Sequence, residues 1–291
     1  MKNIKVTDVR ARAGDSAFLV DDGTTSVLYD TGFGFTGYDI ARNIQDALGD
    51  RQLNFIFLTH SHYDHALGCP YILRSYPNVK VVAAQYAADV FAREGALRVM
   101  REMDRKFADR CGVGEYEFLG DELRVDIPVN DGDSVDTGAM RFEVLALPGH
   151  TRCSVGYFCR EKGLLLAPET LGVYNGSDII TPAFLVGCEM TMRSIDRAAA
   201  LPVRQIVSPH CGLLSEAQTS FFLDSMRSVT EDAIRWMTDM IASGCAEEDI
   251  IAEFKRRYRK GNVREAYPED AVNLNTSIMI KLLRRERLGE Q

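Results

Sequence analysis

Five histidines are the whole imidazole complement of this 291-residue chain, and three fall within Thr59-His60-Ser61-His62-Tyr63-Asp64-His65. Neutral imidazoles and a carboxylate brought to one place are the donors a divalent transition metal takes. A lone histidine is more often a satisfied core or surface residue, but three within six positions, with an aspartate between them, favour a metal site. The other two stand in Pro148-Gly149-His150-Thr151 and Ser208-Pro209-His210-Cys211, and Glu169 closes Leu164-Leu165-Leu166-Ala167-Pro168-Glu169. Each of these alone would pass for an ordinary loop residue. Together with the first cluster they form a candidate ligand set of His60, His62, Asp64, His65, His150, Glu169 and His210.

Every one of these donors follows a stretch that reads as a strand. Asn54 to Leu58 is apolar almost throughout, as strands of a helix-covered sheet are. If the chain stays extended past Leu58, His60 and His62 share a face, while Asp64 and His65 enter the turn into a helix over Ala66 to Arg74. Phe142 to Leu147 precedes His150, Leu164 to Leu166 precedes Glu169, and Gln205 to Val207 precedes His210. Ligands of open α/β sheets gather at such strand ends. Further strands are expected at Ile4–Val6, Ala17–Val20, Ser26–Tyr29, Val79–Ala83, Leu123–Val129, Ser134–Val135 and Val155–Cys159. Helices are expected over Tyr38–Leu48, Tyr86 to about Asp109, and Met192–Ala200. From Ser215 the pattern becomes helical: Phe222, Met226, Val229, Ala233, Trp236 and Met240 recur at alternating fours and threes. Two more helices follow, about Glu247–Arg259 and Glu269–Arg287.

Apolar residues make up 46% of the chain and charged ones 26%, as in a soluble globular protein. The amino terminus lacks the apolar core of a signal peptide, and no run approaches a membrane span. Seven cysteines without a Cys-x-x-Cys pair point to reduced thiols in a cytoplasm rather than a disulfide framework. Cys69 and Cys211 lie near proposed ligands but read as buried apolar cysteines. A net charge of −8 argues against nucleic-acid binding. The basic run Lys255 to Lys260 could meet a phosphate, though a solvated helix face is the simpler reading. Gly32, Gly34 and Gly37 lack a phosphate-loop pattern. The expected partner is a small-molecule substrate, with no nucleic acid and no membrane; nothing in the sequence speaks to oligomeric state.

The His-x-His-x-Asp-His motif, the Pro-Gly-His-Thr segment, the late Pro-His and Asp30-Thr31-Gly32 resemble the metallo-β-lactamase superfamily of metal-dependent hydrolases, over about residues 1 to 214. Leu58 to Leu73, Pro77-Asn78-Val79, the helical insertion near Ala96 to Phe107, and Cys211 to Leu214 are similar to the alkylquinolone-pathway acyl-CoA thioesterase branch. The resemblance implies an α/β fold, the αββα sandwich, as domain 1–214, with a C-terminal helical extension, 215–291, docked on it. It also implies that His60, His62 and His150 hold one ion and that Asp64, His65 and His210 hold a second. Two divalent ions are thus implied, zinc first and iron or manganese also compatible. The position that bridges them is usually aspartate after a small residue; here it is Glu169 after Pro168, one methylene longer, which bears on occupancy of the second site.

The expected chemistry is hydrolysis by a metal-bound, bridging hydroxide, with Asp64 as the catalytic carboxylate. A thioester or ester such as an acyl-CoA leads, because a thiolate leaves with little acid assistance and no histidine is spare. The alternatives are a lactonase or glyoxalase-II-like hydrolase, a mononuclear iron oxidoreductase, and an inactive metal-binding interaction protein. Phe222, Trp236, Met240 and the Met279/Leu283 face are expected to form an apolar acyl pocket.

Overall fold

The computed structural model describes residues 4–290; Met1 to Asn3, part of the amino terminus read above for a signal peptide, lie outside the described residues. The chain forms mixed sheets with flanking helices and further helices toward the carboxyl end, the elements expected of a metallo-β-lactamase fold. It divides into two compact units, residues 1–145 with 155–161, and residues 146–154 with 162–291.

The first unit contains β1 (Lys5–Asp8), β2 (Phe18–Asp21), β3 (Ser26–Tyr29), α1 (Gly37–Leu48), β4 (Phe55–Phe57), α2 (Tyr63–Ala66) and α3 (Cys69–Ser75). It continues with β5 (Lys80–Ala84), α4 (Gln85–Phe91), α5 (Glu94–Arg110), β6 (Ile127–Val129), β7 (Ser134–Asp136), β8 (Arg141–Ala146) and β9 (Val155–Cys159). Its six-stranded sheet runs β1-β2-β3-β4-β5-β6. The first three strands are antiparallel, and β3 to β6 are parallel. Ile56, central in β4, pairs with Leu28 on one side and Val81 on the other, and all three are fully buried. That register fixes where β4 ends and so where the histidine motif begins.

Three expected elements differ. The helix after His65 is broken into α2 and α3 at Gly68, where a Cβ would lie 1.9 Å from the Thr31 carbonyl oxygen. The long helical stretch is interrupted at Ala92 and Arg93, giving α4 and α5. Only the last part of Leu123–Val129 is strand. Asp126 takes up the Val81 amide with its own carboxylate while its amide donates to Val81 O, so regular pairing starts one residue later.

The second unit contains β10 (Leu164–Leu166), β11 (Val173–Tyr174), β12 (Ile180–Thr181), α6 (Cys188–Ala199), β13 (Gln205–Ser208) and β14 (Gly212–Leu213). Its remaining helices are α7 (Glu216–Ala242), α8 (Glu247–Tyr258), α9 (Asn262–Ala266) and α10 (Glu269–Arg287). β10 and β13 are parallel, which carries Glu169 and His210 out of neighbouring strand ends. α7 opens on a capping box, Ser215 Oγ accepting from Gln218 N and the Gln218 side chain accepting from Ser215 N. Its apolar stripe, with faces of α8 and α10, forms one core that includes Trp236, Met237, Phe254 and Leu283 together with Phe184 and Cys188. Trp236, Met240 and Leu283 are therefore packing residues of this core rather than walls of a pocket. Among the described residues no helix is long and apolar enough to cross a membrane.

Candidate metal centre

In the first unit the donors leave β4 in extended backbone. Leu58 N still donates to Val82 O, and His62 has φ −74° and ψ 151° before α2 turns the chain. One ligand atom each of His60 and His62 lies within 4.8 Å of the other, and their rings meet edge to face at 4.6 Å. His65 sits beside them, its ring 4.1 Å from that of His60, and His65 Nε2 is 3.7 Å from Asp64 Oδ2. His60 and His65 are fully buried, whereas the Asp64 side chain keeps some solvent access.

Buried Asp30, at the end of β3, organises this group. Its carboxylate accepts from Thr59 N at 2.8 Å, from the Ser16 hydroxyl at 3.1 Å and from His65 Nδ1 at 2.7 Å. The Thr59 hydroxyl also donates to Asp30, so the 3.0 Å contact between Thr59 Oγ1 and His60 Nδ1 is a hydrogen bond donated by the ring. Both imidazoles thus spend Nδ1–H on a backing partner and leave Nε2 available as a ligand atom. Metal-ligating histidines are oriented in this way, the backing bond selecting the tautomer. Asp30 itself has φ 54°, a left-handed conformation that short polar residues tolerate.

In the second unit Glu169 is the hinge of the arrangement. It opens a single 3₁₀ turn, Glu169–Leu171, directly after Pro168. One carboxylate oxygen lies 2.7 Å from His150 Nε2 and the other 3.1 Å from His210 Nε2. All three side chains are almost wholly buried. His150 Nδ1 donates to Ala183 O at 3.2 Å, so this imidazole too presents Nε2. The His150 loop needs Gly149: its φ is 148°, and a Cβ there would meet Thr191 Oγ1 at 2.3 Å. His210 has φ 58° and packs its ring edge-on against Tyr267, centroids 5.1 Å apart. Residues held in such sparsely populated backbone regions cluster at functional sites.

Each oxygen of the Glu169 carboxylate thus addresses a different histidine of this unit. Cys69 is buried, and desolvation holds its thiol well above the ordinary range, as expected of a packing cysteine. Cys211 is only half-buried, with Asn262 Nδ2 4.0 Å from its sulfur. Asp30, Thr59 and the Ala183 carbonyl act on the donors without being candidate ligands. Only Asp30 had a sequence signal, its place in Asp-Thr-Gly at a strand end.

A cavity opens on His150 within the second unit. Its walls are largely apolar, including Val173, Phe254, Val263, Val272 and Met279, with Tyr267 also lining it. It is narrow, about 30 Å³ to the centre of a water-sized sphere, room for two or three water-sized groups.

The model of the Metallo-beta-lactamase superfamily matches residues 12–210. The chain belongs to that superfamily. Over 194 residues it is 26% identical to the metallo-beta-lactamase fold-containing protein ST1585 of Sulfurisphaera tokodaii, covering 66% of this chain and 73% of that protein. The solved structure of the superfamily protein ST1585 superposes with a TM-score of 0.61 at 19% identity, covering 97% of this chain and 98% of that one. The chain is also 28% identical over 160 residues to the acyl-coenzyme A thioesterase MBLAC2 of Gallus gallus, covering 52% of this chain and 55% of that protein. A hydroxyacylglutathione hydrolase of Legionella pneumophila is 27% identical over 120 residues, 41% of this chain and 34% of that protein. The alignments with these last two thus span between a third and about half of those proteins. The donors here are histidines and carboxylates, of the kind that suits divalent metals.

Proposed function

We propose that this superfamily member is a metal-dependent hydrolase of thioesters, with an acyl-CoA as the leading substrate class. The observation that carries the reading is the apolar cavity lined by His150 itself, which offers an acyl group a place beside a ligand of the reacting centre. Similarity to an acyl-coenzyme A thioesterase supports it. Similarity to a hydroxyacylglutathione hydrolase supports a second reading, a glyoxalase-II-like enzyme.

In this proposal His60, His62 and His150 share one divalent ion and Asp64, His65 and His210 another. Glu169 would be the carboxylate shared between them, since its two oxygens approach His150 and His210 separately. Zinc leads, with iron or manganese as alternatives. Such ions supply Lewis acidity and lower the pKa of bound water toward neutrality. The protein's own part is orientation and proton handling. Asp30, Thr59 and the Ala183 carbonyl fix the imidazoles, and Asp64 is the carboxylate that would orient the attacking water and take its proton. The cavity walls hold the acyl group away from solvent, and the leaving thiolate needs no protein acid. Residues 215–291 are proposed as an extension of the superfamily domain, since the family match stops at 210 while α8 and α10 supply cavity walls. Seven cysteines, none joined in a disulfide among the described residues, support a reducing, cytoplasmic setting.

The test is metal analysis of untagged protein followed by assay of the loaded enzyme on a thioester, lactone and phosphodiester panel. Preferential thioester turnover is expected. Lactone preference would replace the reading; a single iron with oxygen uptake would favour an oxidoreductase, and bound metal without turnover an interaction protein.

A further inference from the structure

The structure points to a second subsite, resting on the thioester reading above: we propose that a basic groove beside the His150 loop holds the phosphorylated nucleotide end of coenzyme A. The groove encloses about 370 Å³ and is lined by the cations Arg152, Lys281 and Arg285 over apolar Leu185, Val186 and Leu282. That volume lies within the ~300–1,000 Å³ usual for small-ligand sites. Ile278, Lys281, Leu282 and Arg285 recur at three and four residues along α10, so they share one helix face.

Three features select the occupant. The first is charge: in an acidic chain, three exposed cations border one groove, and among the described residues no carboxylate pairs with Arg152 or Lys281. Arg285 reaches only Glu286, at 3.5 Å. The basic run Lys255 to Lys260 differs. Arg256 and Arg257 are tied to Glu253, Lys255 to Glu269, and Arg259 to the carbonyls of Tyr267 and Arg264. The second feature is the floor. Half-buried Leu185, Val186 and Ile278 with buried Leu282 offer an apolar surface to a flat ring, which inorganic phosphate would not use. Cations over an apolar floor match a purine carrying several phosphates.

The third feature is position. Leu185 N and Val186 N both donate to Gly149 O, at 2.9 and 2.8 Å, so the groove begins one residue from His150. Thr181, Pro182 and Ala183 line the apolar cavity, and Leu185 and Val186 line the groove. One stretch of backbone borders both, as needed for a ligand whose acyl group and nucleotide extend from one thioester.

The experiment uses the metal-loaded enzyme and the variants Arg152→Gln, Lys281→Gln, Arg285→Gln and all three combined. Calorimetry measures binding of adenosine 3′,5′-bisphosphate, and kinetics compare an acyl-CoA with the same acyl group on N-acetylcysteamine. Each exposed charge removed should weaken binding about three- to fivefold, and the triple variant about 30- to 100-fold. KM for the acyl-CoA should rise in parallel, with kcat and all constants on the short thioester unchanged. Bisphosphate binding that the triple variant retains, or equal KM changes on both thioesters, would overturn the groove. If neither thioester is cleaved the thioester reading fails, and bisphosphate binding with its loss in the triple variant still decides the groove.

Discussion

Asp30 receives hydrogen bonds from a backbone amide, two hydroxyls and His65, and none of these donors is replaced if its carboxylate is lost. Asp30→Asn should keep the fold yet present the wrong partner to His65 Nδ1. We expect metal affinity to fall about 10–100-fold, the effect typical of such backing groups, as read by competition with a chromogenic chelator. Unchanged affinity would show that His65 needs no orientation. Asp104 poses a stability question instead. Burial raises its carboxyl to about 7, against hydrogen bonds from Tyr116 and the Gly34 amide that favour the ionised form. A raised native pKa means that the native state holds the proton more tightly. The associated stability is complete below about pH 4 and is lost as pH rises toward 7, by up to about 1.4 kcal/mol per pH unit. Urea unfolding at several pH values should show this slope in the wild type and not in Asp104→Asn.

At the scale of elements, the close approach of Gly68 to Thr31 decides how α2 and α3 are joined. Gly68→Ala places a methyl group against a carbonyl that belongs to the strand-end segment holding His65 O through Thr31 N and Oγ1. A loss of about 1–3 kcal/mol is expected in thermal unfolding, with reduced metal loading. Met279→Phe should narrow the cavity, so the kcat/KM ratio for butyryl over acetyl thioesters should drop about tenfold. Strands were the most legible elements, because β3, β9 and β10 are continuous apolar runs bounded by turn residues. The break at Gly68 was not legible, since its cause is a carbonyl 37 residues away in the chain. The β11–β12 hairpin and α9 were too short to show a period. At the centre the ligand types were readable from local spacing. The Nδ1 partners were not, because Ala183 O is a backbone group and carries no side-chain signature.

For the molecule as a whole, the carboxyl-terminal helices are structural as well as adjacent to the cavity. Trp236 packs with Tyr258 and the Arg257 guanidinium in a core that also contains Phe184 and Cys188. Trp236→Ala should cost about 3–5 kcal/mol of unfolding free energy. Removal of residues 216–291 should leave the second unit unable to fold, rather than a competent enzyme with altered selectivity. A soluble, cooperatively folding truncation would contradict that. Binding of divalent metal by the histidines from position 60 to 210, with Glu169, is the core of the proposed function. Its most direct test is an anomalous diffraction map collected across the zinc, iron and manganese edges. Two peaks are expected, one within reach of His60, His62 and His150 and the other within reach of Asp64, His65 and His210. A crystal grown with metal that shows no peak within reach of these histidines would contradict it.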